Sequence, residues 1–329
     1  MKKQLLIAAV AATMSTVSMA DISITGGATF DYWNTDNSNG TSANDSAMEV
    51  TLNVKGKSGA TAVVTDIVLG SGDDKAGGNT AGSATVVVEN MYVTTNLGPV
   101  KAKVGNYSTS TESILGEIDE GGRSYGKITL SYTTNGIKFY GGNGGNTASD
   151  TINNNMFVGV VATVEGWKLQ AKKASNTVNA FGVSGKAGLV GIRVEYKDAS
   201  AVNSDVVFAN FTAKLDNINL GLAILEAEKD NLITENDSSI FVVENGLTNH
   251  KGNSNVQLSA SIGVDGTTYS AFVGKIGFAA AATDDRNYFK VAASRALDSG
   301  VKATVSYTDK ETSNTADSKS FNVELKVAF

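Results

Sequence analysis

The chain ends on Phe321-Asn322-Val323-Glu324-Leu325-Lys326-Val327-Ala328-Phe329, and the reading of these nine residues decides the fold. Phe321, Val323, Leu325, Val327 and Phe329 alternate with Asn322, Glu324, Lys326 and Ala328. A period of two is that of a β-strand. Five large apolar side chains on one face and a Glu and a Lys on the other set this strand between an oily medium and a wet one. The same division recurs upstream. Ile22, Ile24, Ala28 and Phe30 oppose Ser23, Thr25, Thr29 and Asp31, and Met48, Val50, Leu52 and Val54 oppose Glu49, Thr51, Asn53 and Lys55. Ile128, Leu130 and Tyr132 oppose Lys127, Thr129 and Ser131, and Ile192, Val194 and Tyr196 oppose Arg193, Glu195 and Lys197. A polar face this charged does not pack as a core; it asks for water.

The connections carry the second signal. A polar loop is expected over Asn34 to Ser46, followed by the tight Lys55-Gly56-Lys57-Ser58-Gly59 turn and a second polar loop, Gly70 to Ser83. Further short turns fall at Asn96 to Gly98, Asn135-Gly136, Glu165-Gly166, Ala187-Gly188, Asp216-Asn217, Asp265-Gly266 and Asp298 to Gly300. Several are of the Asn-Gly or Asp-Gly type that favours hairpins. Longer connections lie between them, near 107–123, 143–155, 175–178, 198–204, 227–253, 278–285 and 310–318. Long and short connections alternate, which describes strands that cross a membrane up and down as a barrel. The expected fold is therefore all-β, a closed antiparallel transmembrane barrel of 16–18 strands, each close to the roughly 9–11 residues a tilted spanning strand needs. The lower number applies if a hairpin around Lys172 to Lys186 belongs to a loop. An even number puts both termini on the short-turn side, where first and last strands pair and leave no open edge. A barrel of about 16–18 strands keeps an aqueous lumen, so inward polar residues are hydrated.

Composition narrows the function. Lys2 and Lys3, the apolar run Leu5 to Val17 and Ser18-Met19-Ala20 read as a cleaved secretory signal over residues 1–20, leaving 21–329 as the barrel domain. With 27 Lys+Arg against 33 Asp+Glu, a net charge of −6, a basic face for nucleic acid is not expected. Zero cysteines exclude a disulfide framework, and a lone histidine, His250, excludes a Cys/His zinc site. No cofactor is implied. An outer-membrane hydrolase would need a nucleophile with a base, and His250 sits in the loop segment Val243 to Asn253 with no partner in view. A secreted or surface adhesin shares the richness in glycine, threonine and asparagine; it would extract as a soluble protein with no heat-modifiable barrel.

Asn90 to Tyr107, NMYVTTNLGPVKAKVGNY, resembles the segment before the constriction loop of Gram-negative general diffusion porins, and Tyr125 to Gly142 resembles the hairpin after it. Asp21 to Trp33 and the terminal Phe329 extend that resemblance over the mature chain. The last strand is similar to those of bacterial outer-membrane barrels, whose terminal aromatic the barrel assembly machinery reads. The resemblance implies a homotrimeric water-filled pore in the outer membrane. It implies passive diffusion of small hydrophilic solutes and ions, contact with the lipid bilayer and lipopolysaccharide, and a third long loop folded into the lumen.

That loop is Ser108 to Arg123, with Glu112, Glu117, Asp119 and Glu120. These carboxylates are either a solvated surface or, placed at the narrowest point, one pole of a transverse field. Lys55, Lys101, Lys103, Lys127, Lys138 and Arg123 are the candidates for the facing basic wall. Porins often carry an arginine ladder and a Pro-Glu-Phe-Gly-Gly stretch; this chain has lysines and only Asp119-Glu120-Gly121-Gly122, which leaves the inward fold and the sign of selectivity open. Lys168, Lys172, Arg193, Lys197 and Lys302 join the lumen list, which leans cationic against Glu49, Glu195 and Glu324. The pairs Asp73-Asp74, Asp119-Glu120 and Asp284-Asp285 have the charge for divalent cations near lipopolysaccharide or a subunit junction, though solvated pairs are commoner. Trp33, Tyr132, Trp167, Tyr196, Tyr307 and Phe329 are expected to face outward as interfacial aromatics.

Overall fold

A computed structural model describes residues 21–71, 85–107, 115, 124–144, 155–174, 178–199, 205–227, 254–277, 285–297, 300–312 and 317–329. The signal segment, Asp73-Asp74, Glu112, Glu117, Asp119, Glu120, Arg123, His250 and Asp284 lie outside the described residues.

Eighteen strands form one sheet: β1 (Asp21–Asn37), β2 (Ser42–Ser58), β3 (Thr61–Ser71), β4 (Thr85–Leu97), β5 (Val100–Tyr107), β6 (Ser124–Thr134), β7 (Ile137–Gly144), β8 (Asn155–Val164), β9 (Trp167–Ala174), β10 (Val178–Ala187), β11 (Val190–Ala199), β12 (Val206–Leu215), β13 (Ile218–Ala227), β14 (Ser254–Val264), β15 (Thr267–Gly277), β16 (Arg286–Ala296), β17 (Val301–Thr312) and β18 (Ser318–Ala328). Each pairs antiparallel with its sequence neighbour, and β1 pairs with β18, so the sheet closes. The segment from Lys172 to Lys186 contributes β9 and β10 to the wall, which settles the number at 18 and not 16.

The seam lies at the residues that opened the sequence reading. Gly27 pairs with Ala328, and one residue further out Gly26 and Phe329 exchange both backbone hydrogen bonds, at 2.7 and 2.9 Å. The Phe329 ring lies over Gly26: a β-carbon there would stand 2.9 Å from the ring and 2.5 Å from the Thr51 carbonyl oxygen. A glycine thus lets the terminal phenylalanine cap the closing pair, and the β1–β18 ladder runs from Gly26 to Asn37.

Alternation sorts the side chains. Ile24, Val86, Met156, Val158, Leu258 and Phe321 are among the large apolar residues exposed on the outer face, and they belong to a belt contributed by strands all round the ring. An apolar surface of this extent belongs in hydrocarbon, with every backbone group paired within the sheet. Among the described residues no helix is long and apolar enough to cross a membrane. Tyr132, Trp167 and Phe329 face outward near the short-turn rim, and Tyr196 lies toward the opposite rim, as two girdles require. Trp167 lies across Gly185 of the neighbouring strand pair.

Two expectations are corrected. Trp33 does not share the outer face: the β1 ladder runs without a register shift from Gly27 to Asn37, so Trp33 stands with the buried Asp31, while Phe30 and Tyr32 face out. The polar stretch Asn34 to Ser46 is mostly strand. Pairing continues through Asn34↔Asn44 and Asp36↔Ser42, and only residues 38–41 turn, with Gly40 at φ 83°. Polarity there marks a hairpin standing above the apolar belt, since a strand in water and a loop have the same composition.

The short connections are tight hairpin turns. Asn135, Glu165 and Asp265 adopt φ of 48°, 50° and 49°, each followed by a glycine at φ between 75° and 83°. Two successive positive φ values match the right-handed strand twist.

Candidate functional site

The site is the lumen wall. Cross-strand register fixes which residues share it: Lys103 pairs with Thr129, Gly105 with Lys127, Gly142 with Phe157, Gly159 with Lys172, Gly182 with Glu195 and Glu195 with Phe208. Lys101, Lys103, Lys127, Lys138, Lys168, Lys172, Lys186, Arg193 and Lys197 therefore line one continuous arc from β5 to β11. Glu195 lies within this arc, and three further lumen acids stand elsewhere. Asp31, Glu49 and Asp66 stand on β1, β2 and β3, which in a ring of 18 strands lie opposite β10, β11 and β12. Three acids thus face the basic arc across the lumen, with Glu195 inside that arc and Lys55 on the same face of β2 as Glu49. The chain is acidic overall, yet its charged inward strand positions are mostly basic.

On the acidic arc, Asp66 accepts hydrogen bonds from Asn53 and, at 2.8 Å, from Asn90. Glu324 on β18 is paired with Lys326 at 2.8 Å. On the basic arc the lysines are interleaved with rings. The Lys103 ammonium lies 4.2 Å from the Tyr92 ring centroid and 4.1 Å from that of Tyr107. Lys127 lies 5.1 Å from Tyr107 and 5.3 Å from Phe157, and Lys172 lies 5.7 Å from Phe157. Tyr92 and Tyr107 meet edge to face with centroids 5.7 Å apart. Such contacts are attractive because the ring face carries partial negative charge. The Tyr107 hydroxyl is held 2.6 Å from Thr129 Oγ1, and Gln170 donates to the Tyr140 hydroxyl at 2.7 Å.

Glycines make the room. Gly105 sits between Tyr92 on β4 and Lys127 on β6, with φ 138°; a β-carbon would meet the Met91 carbonyl oxygen at 2.3 Å and Tyr92 Cα at 2.7 Å. The missing side chain leaves space for Tyr92, Lys103, Tyr107 and Lys127 around one point. Tyr140 lies over Gly159 in the same manner, and Tyr288 over Gly274.

Further along the wall Arg193 pairs with the fully buried Glu195 at 2.5 Å and lies 5.6 Å from the Phe208 ring. Beside this pair is an apolar cluster of Ala180, Val206, Phe208, Ala223 and Leu225 from β10, β12 and β13. Its sixth member is Leu115, at zero exposure. Leu115 belongs to the connection between β5 and β6, and it is the described residue of segment 108–123. The amides Asn255 and Gln257 form a third patch, where the Tyr288 hydroxyl lies 3.3 and 3.1 Å from their side-chain oxygens.

Of the basic residues singled out from sequence, Lys103 and Lys127 meet through Tyr107. Lys101 and Lys138 are on the lumen face one residue from short turns, and Lys55 stands on β2, away from the row. Sequence reasoning missed the rings. Strict alternation from the outward Val86 and Val88 would turn Tyr92 toward lipid, but a register shift opposite Asp66/Ile67 skips Glu89 and returns Asn90 and Tyr92 to the lumen. Met91 and Val93, outward like Val86 but of opposite parity, are the signal that could have found it.

The sequence matches no protein-family model, and comparison with curated proteins finds no relative. Solved structures do match. Pseudomonas aeruginosa OccK9 (OpdG) superposes with a TM-score of 0.69 at 13% identity, covering 95% of this chain and 99% of that one. Acinetobacter baumannii OccAB4 gives 0.68 at 11%, covering 95% and 99%. The P. aeruginosa outer membrane protein OpdK, solved with vanillate, gives 0.67 at 11%, covering 94% and 99%. At this identity the likeness shows that the chain shares the fold of these closed outer-membrane barrels.

Proposed function

We propose that this protein is a bacterial outer-membrane porin, a water-filled channel for passive diffusion of small hydrophilic solutes and ions that favours anions. The observation that carries the reading is the closed barrel with an apolar outer belt and, inside it, an arc from β5 to β11 on which every strand but β8 carries an inward basic residue. Such an arc raises the local concentration of anions and lowers that of cations. The homotrimer, contact with lipopolysaccharide and reading of Phe329 by the assembly machinery belong to the same proposal and rest on the resemblance to general diffusion porins. Among the described residues no group of three or more His, Cys, Asp or Glu stands together to hold a metal ion.

In planar bilayers the purified protein is expected to give stable ohmic conductance with a reversal potential on the anion side. Absence of conductance removes the channel reading, and a cation-side potential removes the preference. A narrower reading, uptake of one class of organic anion, has the lysine and ring row in its favour, and the structural neighbour OpdK was solved with vanillate, a carboxylate. Liposome swelling separates the two, since a general channel passes neutral sugars as well as organic anions of equal size.

The acidic loop is the other pole in this proposal. The buried position of Leu115 against β10, β12 and β13 supports an inward course for segment 108–123 and hence carboxylates near the constriction. Glu117→Gln, Asp119→Asn and Glu120→Gln together are expected to raise the anion-to-cation permeability ratio about two- to fivefold, by removing negative charge beside the path. An unchanged reversal potential would take these residues out of the constriction.

A further inference from the structure

Three features of the interior stand outside the charge count: the amide patch under Tyr288, the Arg193–Glu195 pair, and the rings that touch the lysines. The third carries furthest. We infer that Tyr92, Tyr107 and Phe157 are specificity-determining positioning residues, whose rings hold the ammonium groups of Lys103, Lys127 and Lys172 in file along the lumen wall. The inference rests on the anion-favouring channel reading and adds to it that uncharged residues set the selectivity.

The argument begins with the lysine side chain. Four rotatable methylene bonds let a lumen lysine reach far along the wall or fold back, and a hydrated ammonium keeps most of that freedom. A charge that wanders gives a weak, blurred potential at the axis. Here the contacts form an unbroken chain in the order Tyr92, Lys103, Tyr107, Lys127, Phe157, Lys172, with every ammonium-to-centroid distance between 4.1 and 5.7 Å. Lys103 and Lys127 each touch two rings, so two attractive faces contribute to each position. The rings are themselves fixed. Tyr107 is tied to Thr129 at 2.6 Å, Tyr92 packs on Tyr107, and Phe157 packs on Tyr140 with centroids 6.3 Å apart. Charges held in file give a permeating anion successive sites, and a multi-site path of this kind permits both entry and exit.

The test keeps every charge and removes a ring. Tyr107→Leu and, separately, Phe157→Leu are expected to lower the anion-to-cation permeability ratio about twofold or more, because a released ammonium samples more of the lumen. Tyr107→Phe restores the ratio, since a phenyl face serves as Phe157 does. The ratio is read on single open channels, so the yield of folded protein does not enter it. The wild-type channel supplies a measurement that needs no folded variant: after reductive ¹³C-methylation, the methyl resonances of Lys103 and Lys127 should lie upfield of the other lysines through ring currents. Unshifted resonances, or leucine variants that keep the wild-type ratio, overturn the inference. A wild-type channel with no anion preference overturns instead the reading it rests on.

Discussion

Replacing Lys103, Lys127 and Lys172 together by glutamine is expected to lower the anion-to-cation permeability ratio about tenfold and carry the reversal potential toward the cation side. The magnitude follows from Coulomb's law. A unit charge about 8 Å from a permeating ion contributes about 0.5–2 kcal/mol for effective dielectric constants between those of water and of a protein surface. Three such charges act from one arc, and salt at about 0.1 M, with a Debye length of about 10 Å, takes back part of the sum. The remainder is about 1.4 kcal/mol, or tenfold. The direction follows because the basic arc loses three charges while Asp31, Glu49 and Asp66 stay on the opposite wall. The effect should shrink in 1 M salt, where the Debye length is about 3 Å. Glutamine keeps the side-chain length, so an unaltered ratio at low salt would mean that permeating ions do not pass this wall.

Gly105→Ala is the second large effect, and it falls on stability. A β-carbon there would lie 2.3 Å from the Met91 carbonyl oxygen and 2.7 Å from Tyr92 Cα, both backbone atoms held by the ladder, and φ 138° is strained for alanine whatever the space. Overpacking and a positive φ together cost about 2–4 kcal/mol. Denaturant unfolding of the refolded barrel, read as loss of the heat-modifiable form, should show a correspondingly lower midpoint. Gly136→Ala is the comparison: φ is 76°, but the nearest atom is 4.0 Å away, so strain acts without the clash and the loss is about 1 kcal/mol. Equal midpoints for the two variants would show that the close approach at Gly105 relaxes freely. Because Tyr92, Lys103, Tyr107 and Lys127 gather around Gly105, the alanine variant should also lose selectivity in whatever fraction folds.

Much of the barrel is legible residue by residue. A strand turns its side chains alternately, so the face of Lys103, Lys127, Lys172, Arg193 or Glu324 follows from local backbone geometry, and parity of the connections gives closure. Where a reading departed from that rule it failed. Trp33 was assigned by residue type to an aromatic girdle, while its parity with Asp31 puts it inside. Asn34 to Ser46 was assigned by polarity to a loop, while the ladder runs almost to its tip. Composition reports the medium around a segment; hydrogen bonding decides whether it is a strand.

The sequence by itself determined a closed, two-faced, up-and-down barrel whose final strand seals it, because alternation and turn chemistry are local and each strand carries its own copy of them. Only the tertiary structure decided which inward residues meet. The skipped Glu89 that returns Tyr92 to the lumen, the empty position at Gly105 and the placing of Phe157 between Lys127 and Lys172 depend on register between neighbouring strands, and the burial of Leu115 against β12 and β13 on a contact between segments far apart in the chain. Register is a property of pairs of strands, set by bulges and by packing across the ladder, and no single strand's pattern contains it.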